Sequence, residues 1–101
     1  IETEQATIKV PFSEVQYVMT AAPHRLILVT TKRHINFYGT LKELEQAEER
    51  LLRCHQSYVV NIDAITSYDT ASRFLTLQNE EQIPVSRRLH RTVKNKLRKH
   101  D

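Results

Sequence analysis

Apolar side chains recur at every second position in a succession of short runs. Ile8, Val10 and Phe12 alternate with polar neighbours, and Val15, Tyr17 and Met19 repeat the pattern after Ser13-Glu14. A period of two is the mark of strands with one buried face. Thr20 to Pro23 reads as a loop, because Pro23 has no amide to give a ladder. Arg25 to Thr31 is aliphatic and β-branched, a turn follows near Lys32-Arg33, and Ile35 and Phe37 resume the alternation up to Gly39. That predicts a hairpin. Tyr58, Val60 and Ile62, then Phe74 to Leu77, then Ile83 and Val85 predict further short strands, with a turn at Asn79-Glu80.

Two segments break the alternation. Thr40-Leu41-Lys42-Glu43 is a capping box, with Glu three residues after Thr. Leu41, Leu44, Ala47 and Leu51 follow at helical spacing, which predicts a helix over about 41–52 with a solvated glutamate face. Arg53 to Ser57 then reads as a loop. Near the end, Leu89, Val93 and Leu97 lie four apart and predict a short basic helix capped by Ser86. The fold class is therefore mainly β, with one short helix and a basic C-terminal helix.

At 101 residues the chain fits one domain, 1–101. It opens on Ile1, and we expect it to be a domain of a longer protein. No apolar run approaches the ~18 residues of a membrane span. With a single glycine, Gly39, neither a P-loop nor a dinucleotide fingerprint can be built. A single cysteine, Cys54, excludes a disulfide framework and fits a reducing, intracellular setting, so the expected location is cytoplasmic.

Charge is uneven. Residues 86–101 carry seven basic side chains against Asp101 alone, a balance of +6, whereas the rest of the chain is net −3. On charge alone, a solvated terminal helix and a footprint for a polyanion are equal readings.

The five histidines, His24, His34, His55, His90 and His100, sit in no HExxH or CxxC frame, so we expect no metal, no cofactor and no enzyme. Cys54 reads as a small buried hydrophobe. Pro23-His24-Arg25, Arg53 to Ser57 and Ser86-Arg87-Arg88 instead offer the side chains that meet phosphates and base edges. An RNA-binding β module using Tyr17, Tyr38, Tyr58 or Tyr68, or a protein-interaction module with a basic tail, are the alternatives. Tyr17 and Tyr58 fall on strand patterns that read as core.

Phe37 to Ile65, FYGTLKELEQAEERLLRCHQSYVVNIDAI, resembles the central signature of LytTR DNA-binding domains, closest to the AgrA/ComE/BlpR peptide-pheromone branch. VPFSEVQYV, PHRL and PVSRR resemble its opening strands and its first and last recognition loops. The resemblance implies an elongated stack of small antiparallel sheets whose loops enter successive major grooves. It implies base contacts by His24, Gln56 and Arg88, with Gln56 standing where the branch has Asn. Arg25, Arg53, His55, Ser86, Arg87 and Arg91 would then meet the DNA backbone. It further implies an upstream receiver domain, a membrane histidine kinase, and dimers on direct repeats that activate promoters. Cys54 matches a cysteine of that branch that can be oxidised with a second one; here Ile83 holds the partner position, which excludes an internal switch.

Overall fold

The computed structural model describes residues 1–100. Strands β1 (Val15–Ala22), β2 (Arg25–Thr30), β3 (His34–Tyr38), β4 (Leu51–His55) and β5 (Tyr58–Asn61) form an antiparallel sheet in the order β3-β2-β1-β5-β4. A second sheet, β6-β7-β8, comprises β6 (Ile65–Asp69), β7 (Phe74–Leu77) and β8 (Gln82–Pro84). Helix α1 (Leu41–Ala47) joins β3 to β4, and α2 (His90–Lys99) closes the chain. The body measures 36 × 25 × 21 Å, the elongated stack of small sheets that was expected. No helix among the described residues is long and apolar enough to cross a membrane.

The large sheet is buried on both faces. Leu26 and Leu28 of β2, Val18 of β1 and Val59 of β5 meet Leu41 and Leu44 of α1 on one side. Val29, Tyr17 and Val60 meet Leu75, Leu77, Ile83 and Val93 on the other, under the small sheet and α2. Alternation along each strand therefore divides neighbours between two cores, where one buried face was expected. This is why Arg25 to Thr30 is almost continuously apolar. Each fully buried leucine among these contributes about 1.5–3 kcal/mol.

Other expectations need correction. Ile8 and Val10 pack against the core without entering a strand, and Phe12–Glu14 is a single 3-10 turn. β1 continues to Ala22, so only Pro23-His24 remains of the anticipated loop. The helix over 41–52 ends at Ala47. Leu51 and Leu52 are the reason, because one packs into each core, which a strand allows and a single helix face does not. Arg53 to His55 consequently lie in β4, leaving Gln56-Ser57 as the turn. β6, with its polar sequence ITSYD, was not anticipated. Ser86 Oγ accepts the amide of Leu89 at 3.3 Å in the turn before α2, whose own N-cap is Leu89.

Polar ties join the layers. Tyr17 Oη donates to Glu81 at 2.6 Å, linking β1 to the β7–β8 turn. Burial foremost, then that bond, pushes the Tyr17 phenol well above its ordinary value. Asn61, 1% exposed, donates through Nδ2 to the carbonyls of Val15 at 2.8 Å and Phe12 at 3.2 Å. Its Oδ1 accepts the amide of Asp63 at 3.0 Å. The capping box forms as expected, and Glu43 also accepts the amide of Glu4. That bond, ahead of those from Thr40, holds the Glu43 carboxyl below the ordinary carboxylate range.

Cys54 is fully buried in the core under the small sheet, the same core that holds Ile83. Burial pushes its thiol from 9.0 up to about 12. The thiolate is the reactive form, so the native chain at neutral pH is expected to resist iodoacetamide and to react fully once denatured. Rapid labelling of the native chain contradicts this burial. A thiol raised on folding contributes stability that is complete below 9.0 and is lost as pH climbs towards 12, so melting temperature should fall across that window.

Candidate nucleic-acid interface

Three turns emerge at one end of the large sheet. In the first, Ala22 pairs with Arg25 and leaves Pro23-His24 at the tip of the β1–β2 hairpin. The pyrrolidine ring sets the Pro23 φ near −65°, and His24 has φ 63°. Those are the φ signs of a type II turn, whose third position usually goes to Gly or Asn. Histidine tolerates the left-handed region at a cost of roughly 1–2 kcal/mol. The His24 carbonyl accepts the amide of Gly39 at 2.9 Å, while the ring is exposed. Gly39 is needed because a Cβ there would lie 2.9 Å from Cβ of Thr3.

In the second turn, His55 pairs with Tyr58 and leaves Gln56-Ser57 at the tip of the β4–β5 hairpin. The amide of Thr20 donates to the Ser57 carbonyl at 3.1 Å, setting this tip beside the first. Gln56 is exposed. Arg53 and His55 point back into the turn: Arg53 donates to the carbonyls of His55 and Gln56, and His55 Nδ1 accepts the amide of Ser57 at 3.0 Å.

The third turn follows β8. The amide of Ser86 donates to the Cys54 carbonyl at 2.9 Å, which lays the segment along the edge strand β4. Arg87 and Arg88 are exposed there, and Arg91 is exposed on the first turn of α2. Arg25 is exposed with its guanidinium 5.9 Å from the centre of the Tyr38 ring. An open depression of about 480 Å³ includes His24, Gln56, Arg53 and Lys42 in its wall. A neighbouring one of about 440 Å³ includes Arg88, and Lys42 and Arg53 line both. His24, Gln56 and Arg88, some thirty residues apart in sequence, thus line two depressions with shared walls.

The description "LytTr DNA-binding domain" belongs to the family model that matches residues 5–98. The chain belongs to this family. As a LytTR domain it is a DNA-binding domain. It is 48% identical over 58 residues to the accessory gene regulator protein A of Staphylococcus aureus strain N315, and equally to that of Staphylococcus epidermidis. The match spans 57% of this chain but 24% of those regulators, so the matched segment corresponds to about a quarter of their length. The fold is similar to the LytTr DNA-binding domain of a putative methyl-accepting/DNA response regulator from Bacillus cereus. The TM-score is 0.73 at 30% identity, covering 98% of this chain and 94% of that one.

Lys42 is the residue of this LytTR domain that sequence reading passed over. It is exposed between the two depressions, yet in sequence it lies within a run of glutamates that reads as a solvated helix face.

Proposed function

We propose that this LytTR domain is the C-terminal output domain of a two-component transcriptional regulator and reads direct repeats in duplex DNA. His24, Gln56 and Arg88 address base edges in successive major grooves, while Arg25, Ser86, Arg87 and Arg91 meet phosphates. The observation that carries this reading is the gathering of three exposed turns, bearing His24, Gln56 and Arg88, around two depressions that share Lys42 and Arg53. Histidine and arginine donate to guanine, and the glutamine amide suits the paired acceptor and donor of adenine. Exposed aromatics are few: Tyr38 and Phe74 lie on different sheets, and Tyr17 is core, which disfavours the stacking platform an RNA module uses. In the whole regulator an upstream receiver, phosphorylated by a histidine kinase in the membrane, pairs two such domains in the cytoplasm and raises their joint affinity.

The test is a fluorescence-anisotropy titration against a duplex carrying a direct repeat and a scrambled duplex, at several salt concentrations. Preference for the repeat that persists at ~150 mM salt supports sequence reading. Equal binding that vanishes with salt, followed by failure to enrich any sequence from a random duplex library, reduces the interface to a basic tail.

The left-handed tip adds a second check. Replacing His24 by glycine removes the backbone strain and the ring together. Stability is therefore expected to hold or rise by up to about 1 kcal/mol, while preference for the repeat falls. A variant that loses stability and binding together contradicts the separation of the two roles.

A further inference from the structure

Two-residue hairpin turns are normally the primed types, which need a positive φ in the first or both central positions to match the twist of the strands. Among the described residues other than glycine, positive φ occurs only at His24, Arg73 and Glu80, so Gln56 and Ser57 both have negative φ. The register of β4 also slips between Arg53 and His55, immediately before the turn. A tip of this kind does not hold itself.

Arg53 supplies what the backbone lacks. Its Nε donates to the His55 carbonyl at 2.8 Å and its Nη2 to the Gln56 carbonyl at 2.9 Å. The remaining Nη1 meets Glu45 Oε2 of α1 at 3.3 Å. With its side chain 23% exposed, the guanidinium spans two successive turn carbonyls with its Nε–Nη2 edge and makes a third contact on the helix. A planar fork with fixed donors fits that task, whereas the single ammonium of lysine does not.

We infer that Arg53 is a positioning residue, a clamp that sets the Gln56 tip at the angle needed for base reading, in place of the phosphate contact that the family resemblance implies. The inference rests on the DNA reading proposed above. Glu45 anchors the clamp to α1, so the tip is referenced to the helix as well as to the sheet. Its carboxylate also stands beside Arg88 and Lys42, where an approaching phosphate would be repelled.

Arg53→Lys separates the two roles, because it keeps the charge and loses the fork. Backbone ¹⁵N relaxation on the free chain would follow residues 55–58, and titrations against repeat and scrambled duplexes would follow binding. The clamp predicts loss of order confined to Gln56 and Ser57. It also predicts at least about a fivefold drop in the preference for the repeat, with an unchanged salt dependence. A phosphate contact predicts that Arg53→Lys stays near wild type while Arg53→Ala flattens the salt slope by about 0.9; that pair of results overturns the clamp. Loosening of the turn with no change in preference overturns it equally. Loosening in a chain that prefers no duplex keeps the clamp as a structural device and overturns the DNA reading instead. Should Arg53→Lys melt too low to study, Gln56→Asn with Ser57→Gly gives a turn that sustains itself. In that background the Arg53 substitution is expected to cause no further loss of order, and a loss there would overturn the inference.

Discussion

Replacing Arg88 by alanine is expected to weaken binding to the preferred repeat by about 1–3 kcal/mol, or ~5- to 150-fold, and to relax selectivity at one base pair. Binding to scrambled duplex should change far less. The two parallel N–H donors of a guanidinium explain the size: a bidentate partner such as guanine loses two hydrogen bonds at once, and its acceptors are left facing a gap. Arg87→Ala is the matched control. Both arginines are exposed in the same turn, but a phosphate contact carries no sequence information. Its loss should weaken all duplexes alike and lower the salt slope by about one. If both variants reduce binding to repeat and scrambled duplex by the same factor, Arg88 is a phosphate contact too.

The largest effect on stability is expected at Asn61. Its amide satisfies two carbonyls and one amide from three segments while 1% exposed. Asn61→Ala removes three hydrogen bonds, of which the one to Val15 is buried, with a combined cost of about 2–4 kcal/mol, measurable as a lower urea midpoint. Asn61→Asp is the sharper test. A carboxylate would face the carbonyls of Val15 and Phe12 in place of a donor, which favours its protonated form. A carboxyl raised in the folded state contributes stability present at low pH and lost as pH rises. Relative to wild type, the variant should therefore be less destabilised near about pH 4 than at neutrality; an equal deficit at both would mean that Asn61 is not the hub described. The final asparagine of the QSYVVN stretch is thus explained by folding and not by DNA.

Much of the chain was legible, and the reasons differ by element. β2, β3, β5, β7 and the capping box of α1 follow from local chemistry that tertiary packing reinforces. β6 escaped because its alternation is weak and only Ile65 and Tyr68 pack inward. The end of α1 was misjudged because Leu51 satisfies helical spacing until the demand for two separate cores decides otherwise. Gln16 reads as a polar strand face yet is fully buried, since β1 is central and covered on both sides. For the interface, sequence supplied the residue types His24, Gln56 and Arg88. It could not supply their adjacency, which depends on the pairing of β1 with β5 and on the bond from Ser86 to Cys54. Nor could it show that Arg53 and His55 turn inward, because that is a property of the hairpin's backbone angles.

The shared footing of the tips bears on how such a domain changes over generations. Thr20 ties the first tip to the second, and β4 carries both Arg53 behind Gln56 and the edge behind Arg88. Substitutions at neighbouring sites with shared partners do not add independently. If the tips read bases, a lineage that retunes one of them shifts its neighbours as well, and new operator preferences are reached through coupled steps.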